Sequence, residues 1–341
     1  MNQYAILANP GHNRIYFDTA MSIACSELQA ITLAYDIELM EVGEKEIGLP
    51  ACICFKTSEP LTEEVLKAIG TSSIYYALFE IVDGGLLRTV APKDFKTFPE
   101  SMTQILRYTG KTNEQFTRLM VNLAISACKT KTPVLRLLDP MCGKGTTLYE
   151  GLIRGLDVSG IEIDEKWVHE IETFIVRFMK TGKYKHRIQT AKIPGPNGKK
   201  MADSFTLTAA TEKEDFLAGD FQTMQLYSAD TRKAELLLKK KSVDIIVSDL
   251  PYGVQHGAKA GSVKERSPLW ILQAALPGWH SALKTKGSIV LAFNEFTMRR
   301  EELAALMEEK GFTVLDDEPY INYLHRVDQS INRNIIVAVK A

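Results

Sequence analysis

With 341 residues, 45% of them hydrophobic and 24% charged, the chain can bury full cores in two domains, which excludes an intrinsically disordered chain and a small disulfide-stapled scaffold. Five scattered cysteines and no apolar run near the ~18 residues of a membrane span point to a soluble protein of the reducing cytoplasm with no signal segment. The net charge of −1 hides an asymmetry: residues 1–100 carry 14 acids against 7 bases and residues 101–341 carry 28 against 34, so an acidic part and a basic part face different partners.

In chain order, the first hundred residues read as a small α/β (α+β) domain. "YAILANP" is a strand, "FDTAMSIACSELQAI" has helical spacing, "ACICF" is a second strand, "TEEVLKAIG" a helix opened by acids and closed by glycine, and "IYYALFEIV" a third strand. Cys52 and Cys54 share one apolar strand and have no second cysteine pair, so they read as core and not as a metal site. "DGGLLRTVAPKDFKTFPES" is rich in turn residues and reads as a linker.

From residue 101 to 341 strands and helices alternate. The helix "EQFTRLMVNLAISACK" precedes the strand "VLRLLD"; a glycine loop, the helix "TTLYEGLIRGL", the strand "VSGIEID" and the helix "EKWVHEIETFIVRFMK" follow. Later strands are "VDIIVSD", "GSIVLAF" and "NIIVAVK". Such alternation predicts a mostly parallel, Rossmann-like sheet with helices on both faces. A basic insertion over about 180–218 interrupts it. Residues 180–202 hold seven Lys/Arg and no acid around Pro-Gly-Pro-Asn-Gly, which predicts an exposed hairpin or loop, either a solvated excursion or a phosphate-contacting flap.

The chemistry-bearing residues fall at strand ends. "LLDPMCGKGTTL" puts Asp139 before Gly143 and Gly145, and a helix starts near Thr146, so the backbone can approach a ligand and offer free N–H groups. It is not a phosphate-binding P-loop, because Lys144 sits between the glycines. About twenty residues on, Glu162 stands where a carboxylate grips ribose hydroxyls. Asp230 ends a further strand, where it could meet an adenine amino group or simply cap a helix. Asp249, Leu250, Pro251 and Tyr252 close the strand "VDIIVSD".

This assembly resembles the class I methyltransferases that use S-adenosylmethionine. "DPMCGKGTT" is similar to their Asp-Pro-x-x-Gly-x-Gly loop, and "DLPY" to the Asn/Asp-x-Pro-Tyr/Phe motif of those that methylate amino groups. An exocyclic base amine is a poor nucleophile because its lone pair is delocalised into the ring. By the resemblance, the Asp249 carboxylate and Leu250 carbonyl hold its hydrogens, Pro251 fixes the bend and Tyr252 stacks on the base. Catalysis is then mainly positioning for in-line attack.

More narrowly, "DLPYGVQHGAKAG" and "RYTGKTNEQFTRLMVNLA" resemble segments of the tRNA guanosine-N2 methyltransferases of the THUMP-associated superfamily, over about residues 103–341. The resemblance implies a cofactor held by Asp139, Met141, Cys142, Gly143, Gly145, Thr146 and Thr147, by Glu162 and Ile163, and by Asp230 and Thr231. Thr112, Asn113 and Phe116 would lie beside its methionine end. It implies RNA, most of all tRNA, as partner, with Tyr252, His256, Lys183, Lys185, Arg187, Lys199 and Lys200 on the substrate side. Leu250 stands where that family has proline, Gln255-His256 where it has Arg-Glu, and about a hundred residues where it has a longer region with a full THUMP module. Residues 1–100 are left with three candidate roles: contact with RNA, recruitment of a protein partner, or homodimerisation.

Other readings fit the same residues. One is an adenine-N6 methyltransferase on DNA or RNA, which Asp249 in place of Asn opposes mildly. Another is a non-catalytic nucleic-acid-binding subunit, against which the intact Asp139, Gly143, Gly145, Glu162, Asp249, Pro251 and Tyr252 stand. A small-molecule or protein-amine target would leave the lysine-rich segment without a purpose.

Overall fold

The computed structural model describes residues 1–9, 14–50, 52–104, 113–196, 198–252 and 268–341. Strands β1 (Asn2–Ala8), β2 (Met40–Glu44), β3 (Cys52–Thr57), β4 (Tyr75–Val82) and β5 (Leu86–Val90) form an antiparallel sheet in the order β2-β3-β1-β4-β5. Helices α1 (Arg14–Leu33) and α2 (Glu63–Ile69) belong to the same unit. The expected linker therefore contributes β5 before it becomes irregular, and β2 was not legible. Both are five-residue edge strands with no fully buried residue, so neither carries an apolar run.

The second sheet is built from β6 (Arg136–Asp139), β7 (Asp157–Glu162), β8 (Lys185–Pro194), β9 (Lys200–Ala210), β10 (Gln222–Ser228), β11 (Val243–Asp249), β12 (Leu283–Asn294), β13 (Phe312–Val314), β14 (His325–Arg326) and β15 (Asn332–Lys340). Its helices are α3 (Glu114–Ala127), α4 (Thr146–Ile153), α5 (Glu165–Thr181), α6 (Lys213–Ala218), α7 (Ala234–Leu237), α8 (Pro268–Ala282) and α9 (Arg300–Glu309). The order is β13-β15-β12-β11-β6-β7-β10-β9-β8, with β14 paired to β15. The central run β12-β11-β6-β7-β10 is parallel, and antiparallel strands extend it on both sides. The basic segment is thus a hairpin, β8–β9, that continues the sheet through β10.

Central strands such as β11 are buried along nearly their whole length because helices cover both faces, which is why they read as unbroken apolar runs. Asp244, wholly buried at the start of β11, accepts hydrogen bonds from Thr130, Thr132 and Lys284 and from the Arg136 N–H, at 2.7–3.0 Å. That clamp fixes one end of the strand.

The two sheets share an apolar core through α1 and α3. At that seam the buried Glu27 accepts from Asn122 at 2.6 Å and from Ser73, and Asn122 in turn accepts from Arg154. Such a buried charge is tolerable only while its acceptor capacity is met. Among the described residues no helix is long and apolar enough to cross a membrane.

Candidate active site

Strand order reverses between β6 and β11: the chain runs outward from β6 to β7 and β10, then returns to the other side of β6. A crevice at the carboxyl ends of the strands is expected at such a switch point. Asp139 ends β6 there. Its Oδ1 accepts from the Ser248 hydroxyl at 2.8 Å, which ties β6 to β11, and from the Met141 N–H at 3.2 Å. Burial pushes the Asp139 pKa up to about 7, Asp249 adds to the rise, and the hydrogen bonds oppose it.

The loop after Asp139 turns through two left-handed residues, Gly143 (φ +53°) and Gly145 (φ +86°). A Cβ on Gly145 would come within 3.3 Å of the Tyr149 ring; at Gly143, among the described residues, it would meet only the Trp167 ring, at 4.0 Å. The loop is therefore packed on its inner side and open at Gly143. Cys142 is buried and desolvation pushes its thiol well up, which suits packing. Thr146 and Thr147 are buried in the first turn of α4, and Met141 is half-buried. Lys144 turns away to pair with Glu170 at 2.6 Å.

Glu162, at the end of β7, faces this loop. Its Oε2 accepts from the Gly143 N–H at 2.8 Å and its Oε1 from the Asp164 N–H at 2.9 Å. Burial pushes its pKa up against those bonds. With the Ile163 N–H also bonded to the carboxylate, about one of its four acceptor directions is left to take a hydroxyl hydrogen. A carboxylate and an uncovered glycine turn at adjacent strand ends fit the ribose side of a nucleoside cofactor. Ile163 beside it is exposed.

Asp230 follows β10 and is spoken for locally. It caps the next turn by accepting from the Arg232 N–H, and its carboxylate pairs with the Arg232 guanidinium, whose Nε lies 2.9 Å away. Burial raises its pKa, but these contacts outweigh it and leave the group below the usual range. Thr231 Oγ accepts from the Trp279 indole N–H at 3.0 Å and is buried. Asn113 caps α3 by accepting from the Gln115 and Phe116 N–H groups. Phe116 is fully buried.

On the other side of the switch point, β11 ends at Asp249. The Leu250 N–H donates to the Ala292 carbonyl at 2.9 Å, so the chain stays on β12 one residue longer before Pro251 turns it. The Tyr252 hydroxyl donates to Asp249 Oδ1 at 2.5 Å. Burial, with the charge of Asp249, pushes the Tyr252 pKa well up, which keeps the phenol protonated and a donor. Beneath it the Arg333 guanidinium lies 5.3 Å from the Tyr252 ring centre and 4.4 Å from that of Phe116, and His325 packs edge-on to Phe116 at 5.3 Å. Arg333 and His325 were missed in the sequence. They come from β15 and β14, and the sole hint was a His and an Arg inside the polar stretch that precedes a strongly apolar strand.

The structure does not bring the basic hairpin to this site. β8 lies five strands from β11, about 24 Å at ordinary strand spacing. Lys183 stands at the turn into β8 and Lys185 on that edge strand. Arg187 lies over the Phe216 ring, Lys199 is in the hairpin turn, and Lys200 pairs with Asp203 at 2.5 Å. Thr112 and His256 lie outside the described residues.

Residues 106–315 match the family model described as "RMKL-like, methyltransferase domain", more than half of the chain. No curated protein sequence matches it. Similar solved structures include TrmN from Thermus thermophilus, at 16% identity over 68% of this chain and 50% of that one, with a TM-score of 0.39. TehB from Haemophilus influenzae is 15% identical over 65% and 61% of the two chains, with a TM-score of 0.36. An rRNA methylase from Streptococcus thermophilus is 8% identical over 61% and 87%, with a TM-score of 0.34. The chain spans half the length of TrmN.

Proposed function

The chain belongs to the RMKL-like methyltransferase domain family, and on that premise we propose that it methylates an exocyclic amino group of a base in RNA, guanine N2 in tRNA. It is a class I methyltransferase whose cofactor is S-adenosylmethionine, which when bound supplies an electrophilic methyl group on sulfur. The observation that carries the reading is the pairing, across the switch point, of a glycine loop latched by Glu162 with Asp249 at the head of β11.

Each side has its own work. The Gly143–Gly145 turn and Glu162 bind and orient the nucleoside part of the cofactor. Asp249 and the Leu250 carbonyl accept the amino hydrogens and turn the nitrogen lone pair toward the methyl carbon. As the N–C bond formed and the methyl–sulfur bond broke, nitrogen would shed a proton, and Asp249 is the acceptor nearest to it by this assignment. Tyr252, held from below by Arg333, offers its ring to the base. Positioning of this kind lowers the barrier by holding a near-attack geometry, without a covalent enzyme intermediate. The basic hairpin, some 24 Å along the sheet, meets phosphates of the same RNA away from the target base.

The test is methyl transfer from labelled S-adenosylmethionine to unmodified tRNA, ribosomal RNA and duplex DNA, read by nucleoside mass spectrometry. N2-methylguanosine in tRNA is the expected product. Methyladenine would replace the substrate, and no transfer to any of the three would overturn the RNA assignment.

A further inference from the structure

The C-terminal strand pair places a buried hydrogen-bond acceptor next to the target side of the site, and the chemistry described so far does not use it. β14 and β15 pair with His325 opposite Arg333. Arg333 spans the Phe116 and Tyr252 rings, Tyr252 donates to Asp249, and His325 meets the edge of Phe116. His325 therefore belongs to the same packed platform as Asp249. It is 6% exposed.

Its two nitrogens differ. Nδ1 lies 2.8 Å from the Tyr323 carbonyl oxygen, which can only accept, so Nδ1 carries the hydrogen and Nε2 is left with a lone pair. Nε2 is buried and has no hydrogen-bond partner among the described residues. Burial lowers the His325 pKa to about 4; Arg333 adds to the fall, while Tyr323 and Asp249 oppose it. The ring is neutral at physiological pH, and Nε2 can act there as an acceptor and not as a donor. A buried acceptor left unmet is unfavourable, and a ligand carrying a donor relieves it.

We infer that His325 Nε2 accepts the imino N1–H of the target guanine while Asp249 takes the hydrogens of its amino group, an assignment that rests on the guanine reading above. Guanine carries N1–H directly beside its amino group. Adenine has a lone pair at N1 beside its amino group, so an acceptor at His325 would face an acceptor. His325 is thus a specificity residue that sorts the two purines by one hydrogen. Sites built around a buried polar group reject analogues lacking its partner far more strongly than apolar pockets reject a change of size.

2-Aminopurine keeps the 2-amino group but lacks both N1–H and the 6-oxo group, so the share of its loss that belongs to N1–H is read from how far the His325 variants close the gap. The target nucleotide is first located on unmodified tRNA by nucleoside mass spectrometry, and that RNA is then made with guanine or 2-aminopurine at the position. Wild-type protein is expected to favour guanine by about tenfold or more in kcat/KM. In His325→Phe, which keeps a ring against Phe116, and in His325→Ala, the preference for guanine should shrink by at least about threefold. A packing defect lowers both rates together and leaves their ratio alone, so an unchanged ratio in the variants would overturn the assignment. Equal rates on the two RNAs with wild-type protein would overturn it without any variant. Absence of methylguanosine from wild-type reactions would instead sink the guanine reading, and this inference with it.

Discussion

The two sides of the crevice are built from different materials. The side we assign to the cofactor is largely backbone: two left-handed glycines, a helix start and amide N–H groups held by Glu162. The side we assign to the target is side chains resting on side chains, with Asp249 bonded by Tyr252, Tyr252 over Arg333, and Arg333 over Phe116. A backbone cradle is specified by a few consecutive residues, so it is legible as a motif. A side-chain stack draws on residues 116, 252, 325 and 333, and only the fold brings them together. The first side should fail through lost affinity and the second through lost rate.

The largest effect short of removing Asp249 should come from Tyr252→Ala, which takes away both the stacking face and the donor to Asp249. A fall of about 100-fold in kcat is expected, with cofactor affinity within about threefold, measured by single-turnover transfer and equilibrium binding. Tyr252→Phe keeps the ring and should retain most of the rate. Equal damage from both would show that the hydroxyl matters and the ring does not.

Gly145→Ala attacks the opposite side. At φ +86° with Tyr149 3.3 Å from the new methyl, it should cost about 1–2 kcal/mol and weaken cofactor binding severalfold, with kcat recovered at saturation. Isothermal titration and a denaturant melt read the two effects; normal affinity would mean that the loop needs no left-handed turn.

Replacing Lys183, Lys185, Arg187, Lys199 and Lys200 together by alanine should weaken RNA binding about tenfold near physiological salt and flatten its salt dependence. Turnover on saturating RNA should stay near normal because the hairpin is remote from Asp249. An unchanged salt slope would make the hairpin a bystander.

A further effect is on stability. The folded Asp139 pKa, about 7, lies above its ordinary value of 3.8, so the native state binds more protons than the unfolded chain between those limits. That contribution is full below about pH 4 and is lost as pH rises toward 7. Wild-type protein without cofactor should therefore lose several degrees of Tm over this window relative to Asp139→Asn. Parallel melting curves would place the pH dependence elsewhere.

Much of the fold was legible because β6, β7, β11, β12 and β15 are buried on both faces and read as apolar runs between amphipathic helices. β2 and β5 escaped because half-exposed edge strands lack that signature. At the site, Asp139, Gly143, Gly145, Glu162 and Asp249 were visible as strand-end residues. Their hydrogen-bond partners were not, since Ser248 reaches Asp139 only through the pairing of β11 with β6. The basic segment was legible as a hairpin, but its distance from Asp249 depends on a strand order that no local pattern encodes.

The most direct test of the division is to measure cofactor affinity and saturated methyl transfer on Asp249→Ala and Glu162→Ala side by side. Asp249→Ala should lose at least about 1,000-fold in rate with cofactor affinity within about threefold, and Glu162→Ala should lose about 10- to 100-fold in affinity with rate largely restored at saturation. Loss of cofactor affinity in Asp249→Ala, with normal turnover once saturated, would contradict the account.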